Sequence, residues 1–245
     1  MNSTGTISAD VLRQAMLAAG DQVAALRDEL SALDAAAGDG DLGVTLATGF
    51  GQVRLVLEQA DGSDVGVLLS QTGRTLMRKA PSTFGSLLGL AFVRAGSAFA
   101  GTPDLSADDV ARLLGVLTQA VSERGGAVPG QRTVVDALNG AATAAAGAAG
   151  AGAAGAGAAC AGAAGAGAAC AGAAGAGLDA AEALARAAQG AAEAAERTAE
   201  MEPAVGRAAW LADRARGSRD AGAVAWATYL GALSASVTAA RATGA

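Results

Sequence analysis

An all-α fold is what this chain of 245 residues predicts, and three observations predict it. Alanine is abundant while aromatics make up only 3% of the residues. Alanine has the best helix propensity and loses no side-chain entropy in a helix, so close-packed helices follow naturally. Apolar residues then recur at helical spacing in one segment after another. Short Gly, Asp and Pro clusters separate these segments. The hydrophobic share of 52% overstates the core, because so much of it is alanine. The length suits one domain over 1–245, with a low-complexity insertion at about 140–177.

The first helix is expected over 7–33, capped by Ser8 or Asp10 and carrying Val11, Leu12, Met16, Val23, Leu26, Leu30 and Leu33. A Gly/Asp turn at 38–43 follows, then a helix over roughly 44–59 with Leu46, Phe50, Val53, Leu55 and Val56. Further helices are expected near 64–79 and 85–98, separated by Ala80-Pro81-Ser82-Thr83. Residues 106–124 form another, with Ser106 as its cap, and a Gly/Pro break at 125–130 precedes a helix starting near Thr133. From about 140 to 177 the chain is nearly pure Ala and Gly, and the decapeptide AGAAGAGAAC occurs twice in succession. That tract is long enough to cross a membrane, but Ala and Gly supply little transfer free energy and no aromatic or basic belt flanks it. An expanded low-complexity insertion is the better reading. Helices over 178–201 and 221–241 complete the chain.

Composition excludes several kinds of function. The net charge of −6, with scattered basic residues, argues against nucleic acid as a partner. The N-terminus is polar and has no secretory pattern, and Cys160 and Cys170 occupy equivalent places in the repeat, so no disulfide framework is expected and the address is cytoplasmic. The chain contains no histidine. Chemistry must therefore rest on carboxylates, hydroxyls, arginines, backbone amides and a hard metal ion.

Four segments stand out. In LDAAAGDGDLG at 33–43, Asp34 ends a helix while Asp39 and Asp41 sit in a glycine turn, two apart and pointing the same way. Three carboxylates converging within eight residues repel one another unless a cation neutralises them, and magnesium is the natural candidate. An EF-hand loop starting at Asp39 would need Glu at its twelfth position, where Phe50 stands. A solvated Asp/Gly turn remains the plain alternative. In APSTFGSLLG at 80–89, Ser82 and Thr83 offer hydroxyls at a helix start, either an anion site or an ordinary capping turn. In GGAVPGQRTVVDAL at 125–138, a Gly/Pro loop delivers Arg132 and Thr133 to a helix start, either with Arg132 steering a phosphate or with Thr133 simply capping the helix and Asp136 favouring its dipole. In GRAAWLADRARGSRDAGA at 206–223, an arginine group ends on Asp220, equally readable as a solvated surface loop.

In this order the four segments resemble the L-subunit family of dihydroxyacetone kinases, also seen as a C-terminal domain. The family hallmark, approximately LD-x-x-IGDGDHG-x-NM, appears as LDAAAGDGDLGVTL, with every aspartate and glycine matched but Leu42 in place of His and Thr45 in place of Asn. The family's GGASGPLYG, PGDKTMLDAL and GRASYLGERS-x-G-x-x-DPGA correspond to PSTFGSLLG, PGQRTVVDAL and GRAAWLADRARGSRDAGA. The resemblance covers nearly the whole chain except the Ala/Gly tract.

The resemblance implies an all-α barrel of about eight antiparallel amphipathic helices with the nucleotide in the loops at one end. It implies that Asp34, Asp39 and Asp41 hold two Mg2+ ions, and that Leu42, Thr45, Ser82, Thr83, Gly85, Gly130, Thr133, Arg207 and Asp220 surround ADP or ATP. A separate K subunit would carry the substrate-anchoring histidine and bind dihydroxyacetone or a related small ketose. The chain would then be a kinase subunit that needs no nucleophile and works by positioning and charge neutralisation. A phosphotransferase-system phosphoprotein is a second implied partner, an oligomer is compatible, and neither nucleic acid nor membrane is implied. The changes at 42 and 45 motivate the alternative of a regulatory or scaffold module that binds a protein partner.

Overall fold

The computed structural model describes residues 5–149, 179–205, 209 and 215–243. Most of the Ala/Gly tract and Arg207 lie outside the described residues. Nine α-helices are seen among those described: α1 (Ala9–Ala25), α2 (Arg27–Ala37), α3 (Leu42–Leu57), α4 (Val65–Lys79), α5 (Thr83–Ala98), α6 (Ala107–Gly125), α7 (Val134–Ala149), α8 (Ala180–Arg197) and α9 (Ala221–Thr243). A two-residue β-ladder pairs β1 (Ile7–Ser8) antiparallel with β2 (Asp104–Leu105). The all-α class is as expected. Three details differ: the first helix breaks at Leu26 into α1 and α2, α2 continues to Ala37, and the small ladder has no sequence forecast.

Caps fix the helix starts. Ser8 Oγ accepts from Val11 N at 3.3 Å, Asp64 Oδ1 from Val67 N at 3.1 Å, and Asp179 Oδ1 from Glu182 N at 2.9 Å. Ser106 and Asp109 form a reciprocal capping box at the start of α6. Gly126 ends that helix in the left-handed conformation, φ 69°.

The helices pack in a closed circuit, α1–α3–α4–α5–α6–α7–α8–α9 and back to α1, with α2 lying outside it against α3 and α9. Glycine makes the tightest of these contacts. A Cβ at Gly73 would lie 2.4 Å from the Gly89 carbonyl oxygen, and one at Gly140 would lie 2.5 Å from that of Gly190. Backbone thus meets backbone between α4 and α5 and between α7 and α8. Larger side chains fill the middle. Phe50 (α3), Phe92 (α5), Trp226 and Tyr229 (α9) form one aromatic cluster, with Trp226 stacked on Tyr229 at 5.7 Å. Beside it lies an apolar cavity of about 40 Å³ lined by Leu12, Met16, Leu69 and Trp226. Helix α9 is long and apolar enough to cross a membrane, yet half of its apolar window is buried in this core.

Short turns between neighbouring helices reverse the chain, so loops collect at two ends. One end gathers 58–64, 99–106, the N-terminal strand and the start of α8. The other gathers 38–41, 80–82, 126–133, 198–205 and 215–220, and among the described residues it carries the first three sequence motifs and the end of the fourth.

Candidate functional site

The site is built on glycines. The carboxylates of Asp34, Asp39 and Asp41 each offer an oxygen such that all three lie within 4.8 Å of one another. Asp34 sits in the last turn of α2, where its Oδ2 accepts from the Leu42 amide at 3.3 Å. Asp39 and Asp41 are exposed, and Asp34 is half-buried. A Cβ at Gly38 would come 2.7 Å from Asp34 Oδ1, and Gly40 has φ 79°. A Cβ at Gly43 would fall 1.9 Å from the Arg27 carbonyl oxygen, so only glycine lets α3 lie this close to α2. The turn therefore holds three carboxylates together by close backbone approach. Three hard oxygen donors at this spacing, open to solvent on one side, fit a magnesium ion that keeps water and phosphate in its shell. Leu42 turns its side chain into the core at 7% exposure, while Thr45 is half-buried one helical turn on.

At 80–85, Ser82 Oγ accepts from Gly85 N at 3.0 Å and so caps α5, while Thr83 is exposed. A Cβ at Gly85 would fall 2.2 Å from the Ala80 carbonyl oxygen. The capping reading of Ser82 thus holds, and its O–H stays a donor.

The 126–136 loop corrects the expectation for Arg132. Its side chain does not face outward toward a phosphate: it is 2% exposed, and Nη2 donates to Ala215 O at 2.7 Å, Ser218 O at 2.6 Å and Ser218 Oγ at 2.9 Å. Burial pushes its pKa down, opposed by the charge of Asp220. Asp136 is also buried, and does more than favour a dipole. Its Oδ1 accepts from Gly130 N at 2.5 Å and its Oδ2 from Thr133 N at 2.8 Å, while Thr133 Oγ1 accepts from Val135 N at 3.1 Å. Thr-Val-Val-Asp is a capping pattern, so this role was readable from the spacing of Thr133 and Asp136. Gly130 is exposed and turns the loop with φ 92°.

Asp220 is where the segments meet. Its amide donates to Thr198 Oγ1 at 2.9 Å, and its Oδ1 accepts from Ala223 N at 2.7 Å at the start of α9. A Cβ at the neighbouring Gly222 would meet the Phe84 ring at 2.8 Å and Asp220 Oδ1 at 3.2 Å. The Asp220 carboxyl is pushed up to about 6, first by burial and then by the negative charges of Asp136 and Asp34, against the Ala223 amide and Arg132. Groups from the first and third motif segments therefore act on this one residue, and the second packs Phe84 against Gly222 beside it. The convergence has no local sequence signal, because it joins residues far apart in the chain.

Comparison with known proteins places this geometry. The family model described as DAK2 domain matches residues 36–171 and 166–235. The ADP-binding subunit DhaL of PEP-dependent dihydroxyacetone kinase 2 from Listeria innocua is 33% identical over 114 residues, 46% of this chain and 53% of that one. The L-erythrulose kinase of Pectobacterium atrosepticum is 30% identical over 232 residues, 93% of this chain and 35% of that one. The dihydroxyacetone kinase structure from C. freundii shares the fold, with a TM-score of 0.65 at 24% identity over 92% of this chain and 34% of that one. This chain thus spans about half the length of the DhaL subunit and a third of the kinases. The chain belongs to the DAK2-domain family.

Proposed function

We propose that the chain is a magnesium-dependent nucleotide-binding subunit of a dihydroxyacetone or related small-ketose kinase, passing phosphoryl to a substrate held on a separate K-type subunit in the cytoplasm. The observation that carries this reading is the three-carboxylate turn, with oxygens within 4.8 Å of one another. The relatives support it by name: one is an ADP-binding subunit, another a ketose kinase. A C. freundii dihydroxyacetone kinase of the same fold, TM-score 0.61, is described in complex with AMP-PNP and Mg2+.

Asp34, Asp39 and Asp41 would hold the magnesium, two ions in the fullest reading. Bound there, the metal neutralises phosphate charge. The chain supplies the rest. Helices α3, α5, α7 and α9 all begin at this end of the molecule, and helix N-termini favour anions. Thr83, Ser82 and Thr45 would offer hydroxyls, and Gly85 and Gly130 let the backbone approach the ligand. Leu42 would contribute through its main chain, since its side chain is buried. Thr133 and Asp220 would set the loops behind the phosphates, and Arg207 would complete the nucleotide site. The chain has no histidine to anchor a ketose covalently, which agrees with an acceptor carried by a partner. A phosphotransferase-system phosphoprotein would recharge a permanently bound ADP, whereas an exchanging site would use ATP directly.

Calorimetric titration with Mg–ADP and Mg–ATP tests the reading. Asp39→Asn should weaken binding by roughly tenfold or more. Unchanged affinity would remove the metal assignment. Denaturing the purified protein and chromatographing the released small molecules distinguishes the two donors: stoichiometric ADP indicates the recharged mode, and none indicates exchange with ATP.

One observation favours a second reading, a regulatory module that binds a protein partner. Where the family pattern has a histidine beside the metals, this chain buries Leu42 in its core. Full partner binding by an Asp39→Asn variant that no longer holds nucleotide would support it.

A further inference from the structure

Arg132 is the only non-glycine residue with positive φ among the described residues, at 57°, and the only buried arginine among them. Both features are unfavourable. A side chain in the left-handed region strains the backbone, and a buried guanidinium loses its hydration. Its hydrogen bonds only partly compensate. Nη2 reaches Ala215 O, Ser218 O and Ser218 Oγ, but Nε and Nη1 have no partner. An apolar side chain would fill such a place at less cost.

What the arginine achieves lies across the fold. Its bonds tie the loop before α7 to a turn some 86 residues further on. That turn is closed by Ser218 N and Ser218 Oγ, both donating to Ala215 O. Two residues later comes Asp220, which Arg132 attracts and which the Asp34 charge opposes. Asp220 is also held through its amide by Thr198 at the end of α8, and Gly222, two residues on, packs against the Phe84 ring. Arg132 is the residue of the 126–133 loop whose positive charge acts on Asp220.

We propose that Arg132 is a positioning residue for the nucleotide site: it holds the 215–218 turn, and through it the Asp220 carboxylate, in place beside the aspartate triad. The inference rests on the nucleotide reading given above. Buried on the turn, Arg132 acts through it and through Asp220. Losing it should weaken Mg–nucleotide binding along the same path as losing Asp220, so the two losses should not multiply.

The experiment is titration of Mg–ADP into wild type, Arg132→Lys, Arg132→Met, Ser218→Ala, Asp220→Asn and the double variant Arg132→Met/Asp220→Asn, with thermal unfolding of each without ligand. Arg132→Met and Asp220→Asn should each weaken binding by roughly tenfold, with the double variant no weaker than the worse single. Arg132→Lys should recover part of the loss, and Ser218→Ala should lose less than Arg132→Met. Multiplying losses in the double variant would overturn the proposal. So would a lowered melting temperature for Arg132→Met with wild-type affinity, because that is a structural role alone. If Arg132→Met does not fold, wild-type affinity in both Arg132→Lys and Ser218→Ala overturns it equally. A wild type that binds no Mg–ADP would instead overturn the nucleotide reading itself, and this inference with it.

Discussion

The two ends of the helix circuit solve opposite problems. The far end is tied by main-chain bonds and ion pairs: Ala9 N to Pro103 O at 2.8 Å, Val65 N to Thr102 O and Ala180 N to Gly5 O at 2.9 Å, and Arg241 to Asp179 at 2.6 Å. Carboxylates there serve as caps and loop closures, as where Asp64 takes Val67 N with one oxygen and Gly101 N with the other. The site end gathers carboxylates that repel one another, Asp34, Asp39 and Asp41 outside and Asp136 and Asp220 within, around one buried arginine. The same residue type, aspartate, caps a helix and closes a loop at one end and is gathered into a cluster at the other, the cluster to which the proposed function gives a cation.

The sharpest way to break this contrast is at Gly43. Its Cβ would fall 1.9 Å from the Arg27 carbonyl oxygen, so Gly43→Ala must push α2, with Asp34 on it, away from α3. A loss of about 3 kcal/mol or more in denaturant unfolding is expected, together with loss of Mg–ADP binding. A variant of wild-type stability would show that α2 does not rest on α3 as described. Next in size is Asp64→Ala at the far end. Removing a cap and a loop closure should lower stability by about 1–2 kcal/mol while Mg–ADP affinity stays at the wild-type value. The proposed Asp39→Asn variant should do the reverse.

How much was legible follows the same division. The triad could be read from the sequence because Asp34, Asp39 and Asp41 lie within one turn, where spacing alone brings them together. Helix starts at Ser8, Ser82 and Ser106 were equally local, each set by one hydroxyl and the amide three residues on. The buried corner was not legible. Arg132 meets Ser218, and Asp220 meets Thr198, only after the circuit closes, and nothing in GQRT distinguishes an arginine facing solvent from one turned inward by a positive φ. The break at Leu26 was hidden for another reason: no glycine, proline or capping side chain marks it. The β1–β2 ladder pairs residues 7–8 with 104–105, beyond the reach of any local pattern.

Acid titration sharpens the comparison from inside the site end. The ordinary carboxyl value of 3.8 for Asp220 rises to about 6 in the fold, so the folded chain holds that proton more tightly than the unfolded one. A raised acid value means the contribution is fully present below the unfolded value and is lost as pH rises through the folded one. Without magnesium, stability should therefore decline between about pH 4 and pH 6 by up to about 3 kcal/mol, and Asp220→Asn should flatten that slope. A slope unchanged by Asp220→Asn would assign the proton to another group.

The smallest expected effect tests the far end. Helices α7 and α8 run antiparallel, since Gly140 lies against Gly190 and Ala194 while Gly190 lies against Ala144. The chain therefore leaves α7 near Ala149 and re-enters α8 at Asp179 at the end away from the carboxylates. At the site end, by contrast, the start of α7 holds Asp136 and the end of α8 leads to Thr198, the acceptor of the Asp220 amide. Replacing 150–178 by a flexible linker of about eight residues is enough to join two neighbouring antiparallel helices. It should leave Mg–ADP affinity within about twofold of wild type, a change near the scatter of such measurements. Any larger loss would mean that the tract acts on the nucleotide site, and that the two ends of the circuit are not separate in function.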